Sequence, residues 1–396
     1  MQNNTMTNLP QGWEVKTLSE IGEIITGSTP SKSNVEFYGK DYPFFKPSDF
    51  EQGYFLENAG DNLSKLGFGK ARQLPPKTIL VVCIGSLGKV ALTRVIGSCN
   101  QQINAIIPHK NIISEYIYYY CISSKFQSIL FSKAPQTTLA IFNKTEFSKL
   151  EIIYPKDIKK QERIVGILDE SFAKIDESIK ILEQDLLNLD ELMQSALQKA
   201  FNPLKDNAKE NYKLPQSWEW KSLEEISENI SAGGDKPKNC TESKTAKNQI
   251  PVYANGVNNN GLVGYTDKAT IIKPSLTISA RGTIGFVCIR KEPYFPIVRL
   301  ISLIPCENIL CLHYLYFCLN FFIAKGEGSS IPQLTIPKFK SLQIPLPPLK
   351  EQEQIAKHLD FVFEKTKALK ELYTKELKDY EELKQSLLNK AFKGEL

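Results

Sequence analysis

Gly85-Ser-Leu-Gly88-Lys89 comes nearest in this chain to a loop that could do chemistry. A phosphate-binding loop of that kind needs a glycine four residues ahead of the Gly-Lys pair and a Ser or Thr behind it. Cys83 and Val90 hold those positions, and an internal repeat puts Phe286 where Lys89 stands. A tight turn between two strands is expected instead. Asp235, Glu242 and Lys244 have the residue types of a metal-dependent nuclease, but they fall in a Lys-, Asn- and Thr-rich stretch with no strand to hold them. Cys311-x-His313 lacks the second half of a zinc pattern, and His109, His313 and His358 stand in no motif. No Asn/Asp-Pro-Pro-aromatic element and no Gly-rich loop after an acidic strand is found, so methyl transfer within this chain is not expected. The chain reads as a non-enzyme with no cofactor and no metal of its own.

Two long helical runs would have to position whatever the chain binds. Gln161-Glu162-Arg163-Ile164 opens a Pro-free run that closes with Gln198-Lys199-Ala200-Phe201, and 191 residues later Gln352-Glu353-Gln354-Ile355 and Asn389-Lys390-Ala391-Phe392 repeat it. Apolar residues from Ile164 through Leu168, Phe172 and Ile175 to Ala200 cover 36 residues in ten steps, or 3.6 per step. That is the period of an amphipathic helix with one apolar stripe. A helix of this length cannot bury its stripe alone, so the repeat is its simplest partner. Two long antiparallel helices acting as a spacer are expected, over 156–201 and 348–396.

The segments between them repeat as well. Leu9-Pro-Gln-Gly-Trp and Leu214-Pro-Gln-Ser-Trp head stretches (9–25 and 214–230) that share 11 of 17 positions, which fixes the domain boundaries. The expected plan is a globular domain at 1–155, helix 156–201, linker 202–213, globular domain 214–347 and helix 348–396. The linker would let the second half fold back. Thr78–Ile84, Gln101–Pro108, Leu150–Pro155 and Ser275–Ala280 read as strands, and Ile112–Phe131 as one buried helix. Strands and helices mix without a doubly wound alternation, so the fold class is α+β: two similar globular domains separated by two long antiparallel helices, an internal duplication with a pseudo-two-fold.

Charge distribution separates the two kinds of segment. Residues 1–155 carry 15 basic and 12 acidic groups and 202–347 carry 17 and 12, whereas the helical stretches carry 7 and 10, then 10 and 10. The globular segments thus carry +3 and +5 against −3 and 0 for the helical stretches, which inclines the globular segments toward a polyanion. No apolar run reaches the ~18 residues of a membrane helix and the polar Met1-Gln2-Asn3-Asn4 is no signal peptide, so a cytoplasmic protein with no membrane partner is expected. The eight cysteines form no Cys-x-x-Cys pair and read as buried or incidental thiols.

Leu-Pro-x-x-Trp at the head of each half, Thr26-Gly-Ser-Thr-Pro30, Pro345-Leu-Pro-Pro-Leu-Lys-Glu-Gln352 and Lys390-Ala-Phe-Lys-Gly-Glu-Leu396, in that order on a duplicated plan, resemble the specificity (S) subunit of type I restriction–modification systems. Nearly the whole chain takes part in the resemblance. One departure is Lys156-Asp-Ile-Lys-Lys-Gln-Glu162 in place of the Pro-Pro-Leu approach to the first helix. The resemblance implies that each globular segment is a target recognition domain reading half of a split site in double-stranded DNA. It implies that the helices set the half-site spacing and dock two methyltransferase (M) subunits, with restriction (R) subunits as further partners. S-adenosylmethionine, ATP and magnesium would be used by those partners, not by this chain. Divergence between the two segments suggests an asymmetric target.

Phosphate contacts need basic or small polar donors in loops, and base contacts need Arg, Asn or Gln. On that ground Ser28, Lys32, Lys46, Ser48, Lys89 and Gln136 are the candidates in the first half. Lys236, Asn255, Asn258, Arg281, Arg299 and Gln333 are those in the second, with Arg281, in a turn at the end of a buried strand, the foremost. For partner docking the exposed faces near Gln161, Glu162, Gln352 and Glu353 are expected. A coiled-coil scaffold with two protein-binding domains is the alternative, but it leaves the basic surplus unexplained.

Overall fold

The two apolar stripes become two long helices, Ile158–Phe201 and Leu349–Lys393, in the computed structural model. The structure describes residues 9–134, 141–201, 217–323, 326–327 (backbone only) and 333–396. The expected linker and Gln136 lie outside them. Asp157 starts the first helix: its carboxylate accepts the N–H of Lys159 at 2.9 Å, one of the donors a helix leaves unpaired at its start. Pro347 and Pro348 stand before the second, where a missing N–H costs nothing.

The chain divides into two compact units: residues up to Leu182 together with Thr374–Leu396, and Glu183–Tyr373. Each unit therefore takes one globular segment and half of each long helix, so the packing boundary falls inside the helices. In the first unit the helix segments run antiparallel: Asp176 pairs with Lys384 at 2.6 Å, and Ile164 and Leu168 share a core with Leu388, Ala391 and Phe392. In the second, Asp190 pairs with Lys370, and Leu197 and Phe201 share a core with Ala356 and Leu359. Leu168 is fully buried, which stabilises the unit by about 1.5–3 kcal/mol; truncating it to Ala would cost about 2–5 kcal/mol.

In the first unit five strands lie in the order Gly22–Thr26, Ile103–Pro108, Ile79–Val82, Val90–Thr93 and Phe55–Leu56. In the second the order is Ser227–Ala232, Ile301–Pro305, Ser275–Ile278 and Val287–Arg290. The first four strands of the first unit match the four of the second, all with antiparallel neighbours. A small three-stranded sheet repeats too, centred on Tyr38–Phe45 in one unit and Ile250–Tyr253 in the other. The chain is thus α+β, with two similar globular domains, two long helices and an internal duplication. The expected helix over Ile112–Phe131 is broken in two, Ser114–Ile122 and Ser124–Lys133. Ser123 is the reason: its hydroxyl accepts the N–H of Phe126 at 3.3 Å and caps a new start.

Candidate nucleic-acid interface

In the second unit five loops meet at one end of the strands. Gly233 and Gly234 follow the strand Ser227–Ala232, and their carbonyls accept the N–H groups of Arg299 and Val298 at 2.9 and 2.8 Å. Only glycine permits this approach, because a Cβ on Gly233 would lie 2.6 Å from the backbone of Pro296 and Ile297. Val298 and Arg299 adopt left-handed backbone angles, φ +53° and +59°, which side chains other than glycine rarely accept. The two bonds to the Gly-Gly loop hold them there. Asn255 then ties two further loops: its Nδ2 donates to the carbonyl of Val298 at 2.7 Å and its Oδ1 accepts the N–H of Ala280 at 2.8 Å. Arg281 follows Ala280, and its Nη2 donates to Oε1 of Gln333 at 2.9 Å.

These bonds bring together Asn255, Arg281, Gln333 and the turn of Arg299, and the other two expected residues lie close by in the chain. Lys236 stands two residues beyond Gly234, Arg281 and Arg299 flank the atoms that Asn255 bridges, and Asn258 opens the turn Asn258–Gly261 beyond Gly256. Lys236, Asn258, Arg281 and Arg299 are exposed. Asn255 differs from expectation. Each end of its amide makes one bond within the protein, so it holds the loops that carry the arginines.

The first unit repeats the arrangement with other side chains. Ser28 donates its N–H to the carbonyl of Cys99 and Asn100 donates its own to Phe45, each near 3 Å, so Ser28 and Lys46 lie either side of Cys99-Asn100. Lys46 pairs with Asp61, and Lys89 pairs with Glu51, whose carboxyl it holds below the usual range by its hydrogen bond. Glu51 belongs to the same short turn, Pro47–Gln52, as the exposed Ser48. Lys32 is exposed, four residues beyond Ser28 on the same loop. Gly85 and Gly88, with φ of +84° and +90°, close the turn between Ile79–Val82 and Val90–Thr93, the tight-turn reading of that loop.

Three further contacts complete this cluster. The Arg72 N–H donates to the Ser28 hydroxyl at 3.2 Å, the Thr29 hydroxyl donates to Gln101 at 2.5 Å, and the Asn100 amide donates to Gln102 at 2.8 Å. Only the repeat points to Gln102, which stands opposite Arg299 at a shift of 197. No group of three or more metal-binding side chains occurs among the described residues.

Gln161 and Gln352 correct the docking expectation. Both are fully buried. Gln161 accepts the N–H of Ile113 at 2.9 Å and donates to the carbonyls of Pro155 at 2.9 Å and Asn111 at 3.4 Å. Gln352 accepts from Cys311 at 2.9 Å and donates to Pro347 at 2.8 Å and Ile309 at 2.9 Å. They are clasps that fix each helix start to its globular segment, so neither amide can meet a partner. Glu162 and Glu353 beside them are exposed.

Comparison with known proteins decides the family. The model of the type I restriction modification DNA specificity domain matches residues 10–186 and again 215–379. The chain belongs to this family. The specificity subunit of the type I restriction enzyme HindI from Haemophilus influenzae is 39% identical over 186 residues, which span 45% of this chain and 40% of that relative. The MjaIX specificity subunit from Methanocaldococcus jannaschii is 24% identical over 378 residues, spanning 86% of this chain and 84% of that one. The fold of the specificity domains is shared with a chain from a study of complex assembly and conformational transition in the type I R-M system (TM-score 0.81, 19% identity, 98% and 99% of the two chains). It is shared also with the HsdS subunit from Thermoanaerobacter tengcongensis (TM-score 0.61, 20% identity, 100% of both). Among the described residues no helix is long and apolar enough to cross a membrane.

Proposed function

We propose that this chain reads a bipartite, asymmetric site in double-stranded DNA and brings methyltransferase and restriction subunits to it. One observation carries the reading: a matched loop cluster occurs in each unit, but the side chains differ. Arg281 stands where the first half has Ile84, and Arg299 where it has Gln102. The same backbone presenting different donors is what two unlike half-sites require. The chain itself would be non-catalytic. S-adenosylmethionine, ATP and magnesium belong to the partners, two M subunits and the R subunits, in the cytoplasm.

Partner docking is proposed on the outer faces of the long helices. Ile181 and Leu383 in the first unit, and Leu187, Leu192, Phe361 and Leu372 in the second, are exposed apolar residues on those helices. Each helix thus carries apolar side chains beyond the stripe that its neighbour covers, as a surface awaiting another helix does. The helices, continuous through both units, are the proposed spacer.

Modified-base sequencing of host DNA tests the function, with and without this gene and with the methyltransferase left intact. Loss of methylation at one split motif on both strands is the expected result. If every methylated motif survives the deletion, the chain does not supply specificity.

A further inference from the structure

The first unit holds a cavity of about 610 Å³, open to the surface, that none of these roles uses. Tyr54, Tyr118 and Tyr119 of the globular segment wall one side, and Phe172 with Asp169, Asp176, Glu381 and Lys384 of the long helices wall the other. We propose that this cavity is a socket for a basic segment of the partner methyltransferase, anchored by an arginine side chain. The inference rests on the reading that such a partner docks on this chain.

Charge comes first. Asp169, Asp176 and Glu381 face the cavity, and Lys384 is shared between Asp176 at 2.6 Å and Glu381 at 3.4 Å. Arg94, also on the wall, is taken by Glu57 at 2.9 Å. Three carboxylates against one lysine leave a surplus of two negative charges, which an incoming arginine would halve. The walls also suit a flat cation. Tyr54 stacks on Tyr118 with ring centres 4.0 Å apart, and Tyr119 meets Phe172 edge-on at 5.4 Å. The protein's own cations already show this mode: the Arg94 guanidinium sits 3.7 Å over the Phe55 ring, and the Lys384 ammonium 5.8 Å over Phe172. Guanidinium groups stack on aromatic faces and fork to carboxylates, which a compact ammonium does less well.

The Tyr54 hydroxyl is buried beside Tyr119. Size favours a stretch of polypeptide over an isolated ion, because the volume lies within the roughly 300–1,000 Å³ of clefts that hold whole ligands. Position does too. Leu383 lies between Glu381 and Lys384 in sequence, and Ile181 stands five residues beyond Asp176; both are exposed. Apolar side chains of the face proposed for partner docking thus stand at the same level of the two helices as the socket. The second half lacks the same set: at the shift of 191, Asp176 faces Lys367, Ala173 faces Glu364 and Lys384 faces Met193.

The test titrates the purified methyltransferase subunit into the full chain by calorimetry at low and high salt, wild type against Asp176→Lys/Glu381→Lys. Both replaced side chains are more than half exposed (61% and 65%), and a melting curve checks that the variant folds. The expected result is association weakened at least tenfold at low salt, a flatter salt dependence, and DNA binding within twofold of wild type. The neutral pair Asp176→Asn/Glu381→Gln should fall between. Partner affinity equal to wild type in the charge-reversed variant overturns the socket while leaving partner docking intact. Failure of the wild-type chain to bind the subunit removes both ideas. A changed oligomeric state of the chain alone would assign the cavity to a second copy and also overturn the proposal.

Discussion

The side-chain carbonyl of Gln161 accepts the backbone N–H of Ile113 at 2.9 Å, fixing the start of a long helix to the helix that begins at Ser114. Gln161→Leu keeps the bulk but strands this N–H and the carbonyls of Pro155 and Asn111 away from water. A buried polar group left unpaired costs about 1–3 kcal/mol, so the first unit should lose about 2–4 kcal/mol. Urea unfolding followed by hydrogen exchange should place the loss in that unit. Gln352→Leu should move it to the second unit.

Gly233→Ala should damage the loop cluster from within. The new Cβ would stand 2.6 Å from Pro296 and Ile297 backbone atoms, which cannot turn aside as a side chain can. The expected cost is about 1–3 kcal/mol, as for overpacking elsewhere, with the Arg299 turn displaced. A lowered melting temperature together with weaker DNA binding is the predicted pair. Unchanged melting would show that the approach of these backbones is slack.

Arg281→Ala should weaken DNA binding roughly 5- to 150-fold if the guanidinium reads a base, since a good bidentate pair discriminates by about 1–3 kcal/mol. Gln333→Ala should give a smaller loss, because it removes only the group that orients Arg281. Asn255→Ala should act on both arginine loops and relax discrimination at more than one position. Titration against a set of singly substituted duplexes separates these outcomes, and equal binding by the Arg281→Ala protein removes that residue from the interface.

Thiol chemistry gives a check that needs no DNA. Burial pushes the Cys83 and Cys99 thiols up to about 12, so the reactive thiolate is scarce at pH 8 and grows only toward that value. Iodoacetamide at pH 8 should therefore spare both and label the half-buried Cys240, Cys306 and Cys311 first. Mass spectrometry of the folded chain reads the order directly. Early labelling of Cys99 would mean that the small sheet of the first unit opens far more readily than its packing implies.

Periodicity made the helices plain in the sequence, because a 3.6-residue spacing held over ten steps belongs to an amphipathic helix and to no strand. It also contained the correction at Gln161, which stands three residues before Ile164 on the same stripe and so had to face inward. The loop cluster was only half visible. Arg281, Arg299 and Gln333 could be chosen by residue type, but the bracing role of Asn255 depends on Ala280 and Val298, which come 25 and 43 positions later. The Asp61 that pairs with Lys46 lies on another turn, and no local pattern announces it.

Phe392 packs edge-on against Tyr116 and Tyr120, so the last turn of the second helix is part of the first unit's core. On the ribosome this reverses the usual order. The second unit, Glu183–Tyr373, is one continuous stretch and can fold as soon as it emerges. The first must wait for Thr374 and beyond, made only after the 191 residues of the second unit. At about 5–20 residues per second that is a delay of roughly 10–40 s. During it Ile164, Leu168 and Tyr120 lack their covering, and a nascent chain stalled before Thr374 would present that apolar surface to chaperones or to another chain.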